Sequence, residues 1–426
     1  MPPSPPTSIA RAPAALSFCA VSREMPAPVS FAISGKREAK ALIDPAAEEP
    51  WKRLIANRPA LKPSRSNEAD LAANLHAIGV LRGGGGGQSL MFNGHMDHNM
   101  VCEGWTKDPF GAMVEDGWLY AIGVANMKGG DAAYLAAIQG LQRAGVRLAG
   151  DLLVEYVVGE LEGGKGTRHA IDMGIRADHF IDGEPTEMAI VNMHAGVVLL
   201  RLEVQGEMRH YTTRSGTVNH AVQNLMEILR ELGPSYTPDG ADSWLHHDPN
   251  PEFAGLPQHN IGVVRGGMTR ECLEWRVGLV PDYAYALIDV RVVPGQSPAS
   301  VKADLERVIA RLAPRLPRLR AKVDLMDRTK HLFMPAFYVP QKAEVIQATA
   351  AAHRRVIGQE PEWGGVTKFA GSDAAHLWNA GIPGLLYGPG GRYLSRPDEK
   401  VEVRDIVAAA RVYALVAADL ASRPAA

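Results

Sequence analysis

Apolar positions along the chain fall into two rhythms. Leu90, Met91 and Phe92 run together, as in a strand buried on both faces of a parallel sheet. A second run spans Leu152 to Val158, and a third His179 to Ile181. Between the first two, Tyr134, Ile138 and Leu141 recur at helical spacing and predict a helix from about Met127 to Ala144, ended by Gly145. Strand, helix and strand in this alternation predict right-handed βαβ units. Upstream, Ala39, Leu42 and Ile43, then Leu71, Leu75 and Ile78, predict helices between Lys36 and Ile78, with Ser64 and Glu68 marking a helix start. The glycine run Gly83 to Gly87 reads as a turn before the first strand. No Gly-Lys-Ser/Thr follows it, so it lacks the pattern of a phosphate loop.

The rhythm then changes. Val197 to Val204 alternates, as in a half-exposed sheet. Val218, Val222, Leu225, Leu229 and Leu232 form a helical stripe stopped by Gly233-Pro234. Strand patterns follow at Asn260 to Val264 and at Tyr285 to Val292. Ser297-Pro298 then caps a helix with the stripe Val301, Leu305, Val308 and Leu312. These elements predict a small α+β unit, residues 194–326, inserted into an α/β domain made of residues 36–193 and 327–426. A closing helix carries Ile406, Ala410, Tyr413 and Leu420 on one side.

Composition narrows the classes. Hydrophobic residues make up 46% of the 426 positions and charged residues 22%, an ordinary globular balance. A formal net charge of −2 favours neither nucleic acid nor an anionic membrane. No apolar run approaches the ~18 residues that span a bilayer. Cys19, Cys102 and Cys272 are too few and too scattered for a disulfide framework or a CxxC zinc site, and the expected compartment is the cytoplasm. Residues 1–35, rich in Pro, Ala and Ser, read as a mobile tail.

The chemistry gathers where the first strand ends. Gly94-His95-Met96-Asp97 follows it, and on an extended backbone His95 and Asp97 share a face. A metal-binding imidazole usually has a second group holding its ring, and a nearby carboxylate serves. Trp105, Asp108-Pro109-Phe110, Asp116-Gly117-Trp118-Leu119-Tyr120 and Met127-Lys128-Gly129-Gly130 come next, in that order. Further on stand Gly183-Glu184-Pro185-Thr186 and Ser395-Arg396-Pro397-Asp398-Glu399. Together these motifs resemble the M20 family of metallopeptidases and amidohydrolases, from about Ser64 to the end of the chain.

The resemblance implies a mixed, mostly parallel sheet flanked by helices, with a ferredoxin-like α+β insert serving as lid and dimerisation domain. It also implies two metal ions, and here the chain departs from the pattern. His95 and Glu184 match ligands of one ion, and Asp97 matches the residue that holds His95. Asn126 stands where the family has a bridging Asp. Leu161 and Ser395 stand where the family has the private Glu and His of the second ion. Glu162, one residue further, is a candidate substitute, and His98 is another. Glu160 matches the general base. His210 matches a lid histidine that reaches the partner subunit's active site.

The expectation is therefore one weakly held divalent transition metal per subunit (Mn, Zn or Co) on His95, Asn126 and Glu184, with Glu160, Asp97 and His210 as catalytic residues. The implied activity is hydrolysis of a carbon–nitrogen bond in a small carboxylated substrate. Two substrate classes stay open, an aromatic amine such as a nitroanthranilate and an N-acyl-amino-acid or dipeptide amide. A non-catalytic binding protein is the third reading. A homodimer or higher homo-oligomer is expected.

Overall fold

The computed structural model describes residues 76–213, 216–235, 241–364 and 369–424, with the backbone of Ser30–Ile33. The strands of its two main sheets are β1 (Ser30–Ile33), β2 (Ala77–Leu81), β3 (Leu90–His95), β4 (Leu152–Val157), β5 (His179–Asp182), β6 (Gly196–Gln205), β7 (Gln258–Gly267), β8 (Tyr283–Val292), β9 (Arg320–Leu325) and β10 (Gly384–Leu386). Among the described residues the α-helices are α1 (Gly129–Arg143), α2 (Lys165–Asp172), α3 (Ala221–Leu232), α4 (Pro298–Leu312), α5 (Asp327–His331), α6 (Glu344–Ile357), α7 (Ala374–Asn379) and α8 (Val403–Leu420).

The first sheet runs β1-β2-β4-β3-β5-β10. Its four strands from β4 to β10 are parallel, and β1 and β2 add an antiparallel edge. Every residue of β3 and β4 is buried, which explains the apolar runs Leu90–Phe92 and Leu152–Val154, and the polar exceptions Asn93 and Glu155 bond to each other at 2.9 Å. Alternation along β3 divides the layers. Phe92 stacks on Tyr134 of α1 with ring centroids 4.7 Å apart, and Tyr134 meets Tyr413 of α8 at 4.9 Å. Asn93, the next residue, donates instead to Thr167 of α2 at 2.9 Å. The Tyr134 hydroxyl donates to the Asn93 carbonyl at 2.7 Å, so the aromatic column also ties α1 to the strand that carries the site.

The second sheet, β7-β8-β6-β9, is antiparallel throughout. Helices α3 and α4 cover one face, burying Leu225, Ile228, Val301 and Leu305 against Leu200, Leu202, Ala286 and Ile288. Ser297 caps α4 through a reciprocal pair of hydrogen bonds with Ser300, and Pro298 opens the helix as its spacing predicts. The chain leaves the first sheet after β5 and rejoins it at β10, so this unit is an insertion.

Two local expectations need correction, and one strand was not expected. Ile78 belongs to β2, paired antiparallel with β4, and not to a helix. The helix expected from Met127 begins at Gly129, because Val124–Lys128 forms a wider turn broken at Asn126 (φ −121°, ψ 95°) and Met127. Strand β9 had no sequence signal, since Val323 is its one buried side chain. The helices expected between Lys36 and Leu75, and residues 1–29 of the expected tail, lie outside the described residues. Ser30–Ile33, also within that tail, pairs with β2. No helix among the described residues is long and apolar enough to cross a membrane.

Candidate active site

Three loops converge at the carboxyl ends of the parallel strands, where open α/β sheets gather their ligands. His95 is the last residue of β3, Glu160 follows β4, and Glu184 follows β5. Gly94 admits no side chain, since a Cβ there would lie 2.0 Å from Oδ1 of Asp131. The fourth residue, Asn126, comes from the broken turn ahead of α1. Glu399 holds that turn, accepting the backbone N–H of Ala125 at 2.8 Å and of Asn126 at 3.2 Å.

The side chains meet closely. Nε2 of His95 lies 3.0 Å from Oδ1 of Asn126, 3.7 Å from Glu184 and 3.9 Å from Glu160. Ligand atoms of His95, Glu160 and Glu184 all fall within 4.8 Å of one another, and all three residues are buried. On the far side of the ring, Nδ1 donates to the Asp97 carbonyl at 3.0 Å, with the Asp97 carboxylate 3.5 Å away. That carboxylate also accepts the backbone N–H groups of Gly159 (3.0 Å), Glu160 (3.4 Å) and Leu161 (3.1 Å). Asp97 therefore fixes both the imidazole and the loop that carries Glu160.

Burial dominates the electrostatics. It pushes the Glu160 carboxyl above its ordinary value, and with the neighbouring Asp182 it pushes Glu184 well above. Burial opposes charge on His95, yet the Asp97 contact and the Glu184 and Glu160 carboxylates hold the imidazole well above its usual value. For Asp97 desolvation is outweighed by His95 and the loop amides, which hold its carboxyl below the usual range. Beneath the site, burial raises Asp131 to about 8 and Asp182 to about 7.

This donor set fits a divalent cation. Without a metal the raised pKa of His95 lets Nε2 donate to the Asn126 oxygen at 3.0 Å, while Nδ1 donates to the Asp97 carbonyl. Two buried carboxylates stand beside them. A cation displacing the Nε2 proton would meet one imidazole nitrogen and several oxygen donors, a set that suits Zn, Mn or Co.

The other expected residues lie elsewhere. His210 is on the inserted unit, where Nδ1 meets the Thr212 hydroxyl at 2.7 Å and the ring lies beside Tyr211. Glu162 points to solvent and pairs with Lys165, so it is no substitute ligand. His98 is half-buried, with Nδ1 on the Asn99 carbonyl, and stays out of the cluster. Ser395 receives the Asn99 side-chain amide at 2.6 Å. The sequence reading missed Glu399 as the anchor of Asn126. Its place in Pro397-Asp398-Glu399 was the available signal.

A mixed sheet with a carboxylate–imidazole cluster at its strand ends and an inserted α+β unit defines a metal-site α/β hydrolase. The chain belongs to peptidase family M20/M25/M40, whose model matches residues 91–419. Its enzymes bind divalent metals and hydrolyse carbon–nitrogen bonds. The chain is 27% identical over 341 residues to N-formyl-4-amino-5-aminomethyl-2-methylpyrimidine deformylase of Bacillus subtilis, covering 75% of this chain and 76% of the relative. It is 26% identical over 338 residues to acetylornithine deacetylase of Myxococcus xanthus, covering 78% and 80%. Its fold is similar to that of an M20 family metallo-carboxypeptidase from Sulfolobus solfataricus, with TM-score 0.65, 18% identity, and coverage of 87% and 92%.

Proposed function

We propose that the protein is a single-metal amidohydrolase acting on a small carboxylated N-acyl compound. The convergence of His95, Glu160 and Glu184 within 4.8 Å supports this most directly. In this reading His95, Asn126 and Glu184 hold one Mn, Zn or Co ion. Such an ion, when bound, polarises the bond under attack and eases deprotonation of water. Glu160 takes the proton of the attacking water and passes it to the leaving nitrogen, and a pKa raised by burial makes it a stronger base than an ordinary carboxylate. Asp97 keeps the His95 proton on Nδ1 and aims the Glu160 loop.

The names of the relatives, a deformylase and a deacetylase, favour an amide. The second reading, hydrolytic deamination of an aromatic amine such as a nitroanthranilate, draws on Asn126, Leu161 and Ser395, which leave the family's second metal position without its acidic and imidazole ligands. We assign catalysis to residues 36–193 and 327–426, and a lid and dimer contact to residues 194–326. His210 would then act in the partner subunit's site of a cytoplasmic homodimer.

The test is calorimetric titration of chelator-stripped protein with Mn²⁺ and Zn²⁺, repeated on Glu184→Ala. Release of amine from N-formyl and N-acetyl amino acids, and of ammonia from a nitroanthranilate, is then followed with metal-loaded protein. One ion per chain, lost in Glu184→Ala, with amine release restored by metal, is the expected result. Absence of binding to wild type would refute the mechanism. Binding without turnover of any of these compounds would favour the binding-protein reading.

A further inference from the structure

Loop 159–164, which carries Glu160, is held from two sides. On one side the Asp97 carboxylate takes three consecutive N–H groups, as described. On the other, Nη1 of Arg328 donates to the Leu161 carbonyl at 2.8 Å. Leu161 is the position where the resembled family has a metal-ligating Glu. Here its side chain offers no ligand, and a guanidinium engages its backbone. Arg328 also lies over Gly163, whose φ of +103° suits glycine, and a Cβ there would meet Arg328 Nε at 3.0 Å. The Gly163 carbonyl is engaged in turn by Nε2 of His376 at 2.8 Å.

Arg328 stands in α5, at the root of the inserted unit, and α5 is stitched to the first strand of that unit. The Leu199 N–H donates to the Thr329 hydroxyl at 2.8 Å, and the Met326 N–H donates to the Leu199 carbonyl at 2.9 Å. Thr329 is buried, so this stitch is part of the packed interior. A path therefore runs from β6 by hydrogen bond to Thr329, along the backbone of α5 to its neighbour Arg328, and by hydrogen bond from Arg328 to the Glu160 loop. Desolvation works against the Arg328 charge, and the Glu160 carboxylate works for it.

We propose that Arg328 is a positioning residue that clamps the Glu160 loop to the root of the inserted unit and so sets the aim of Glu160. The proposal rests on the role given to Glu160 above, but the clamp itself is measurable without substrate. Hydrogen exchange of the amides of Gly159, Glu160 and Leu161 is followed in chelator-stripped wild type, Arg328→Ala, Arg328→Lys and Thr329→Val. A charged donor to a carbonyl is worth enough that its loss speeds local opening by about tenfold or more. The expected result is that rise in Arg328→Ala, an intermediate value in Arg328→Lys, and a smaller rise in Thr329→Val, which does not touch the loop. Amides of Phe92 in β3 and Ile288 in β8 keep their wild-type rates. Mn²⁺ affinity in Arg328→Ala falls at least about threefold, because the Glu160 carboxylate, 3.9 Å from Nε2 of His95, adds negative charge beside the ion's ligands without being one of them. Unchanged loop exchange in Arg328→Ala would overturn the proposal. So would a rise spread evenly over the molecule, which marks a merely structural residue. Failure of the wild type to bind Mn²⁺ would instead overturn the functional reading, and the exchange comparison would still decide the role of Arg328.

Discussion

Asn126→Asp puts a carboxylate where the resembled family bridges two ions, and its effect is calculable in sign and scale. Oδ1 of Asn126 is 3.0 Å from Nε2 of His95, which is itself 3.7 and 3.9 Å from the Glu184 and Glu160 oxygens. The new charge therefore sits within about 7 Å of both. At an effective dielectric constant of ~20, each such pair repels by roughly 2.4 kcal/mol or more when both members are ionised. Proton uptake relieves part of this, since burial already raises Glu160 and Glu184. The His95 imidazole, 3.0 Å away and held well above its usual pKa, attracts the new charge by roughly 5.5 kcal/mol at the same dielectric constant and offsets the two repulsions, so little net change is expected for the metal-free protein. A bound divalent cation reverses the repulsion, so affinity should rise by more than tenfold, at about 1.4 kcal/mol per decade. Thermal melts in EDTA and Mn²⁺ calorimetry are the assays. The variant should melt close to wild type without metal and bind Mn²⁺ more tightly. Unchanged or weaker Mn²⁺ binding would refute the reasoning that residue 126 shares one cation with His95 and Glu184.

Two further perturbations test the surroundings of the site. Asp97→Asn leaves one acceptor for three backbone N–H groups and weakens the hold on His95, so Mn²⁺ affinity should drop by about ten- to a hundredfold in calorimetry, and a change under twofold would count against the orienting role. Glu155 is buried in β4, accepts Asn93 Nδ2 at 2.9 Å, and burial raises its carboxyl to about 7. Its folded pKa lies above its unfolded value near 4.3, so its contribution is complete below that value and fades as pH rises through about 7. Glu155→Gln removes this loss, worth about 3 kcal/mol, and denaturant melts of the two proteins should diverge in favour of the variant between pH 5 and 8. Parallel curves would sink the assignment.

Elements with local causes were legible in the sequence. Buried β3 and β4 show as apolar runs because both faces are covered, and α4 shows because Ser297 and Pro298 mark its start. Members of the cluster were legible as motif positions: His95, Glu160 and Glu184 stand at strand ends, and Asn126 stands just ahead of Met127-Lys128-Gly129-Gly130. Features made by distant chain were not. Glu399 reaches the Ala125 amide across 274 positions, and Arg328 reaches Leu161 across 167, with no periodicity to betray either contact. The start of α1 was misjudged for a related reason. Its apolar stripe continues into a turn that Glu399 holds out of helical form. Ile78 has helical spacing from Leu75, yet pairing with β4 overrides that weak signal.

The insertion also changes the entropy of building the first sheet. Strand β10 pairs with β5 in the register Asp182 to Leu386, so an unfolded chain would have to close a loop of ~200 residues to add the last parallel strand. The inserted unit brings Val197 beside Met334, where the Val197 N–H donates to the Met334 carbonyl at 2.9 Å. Once that bridge exists, the open chain left to order is roughly 70 residues. The closure then costs about 1 kcal/mol less. The inserted unit thereby acts as a splint: by joining its own two ends, it draws the separated halves of the site-bearing sheet within reach of each other.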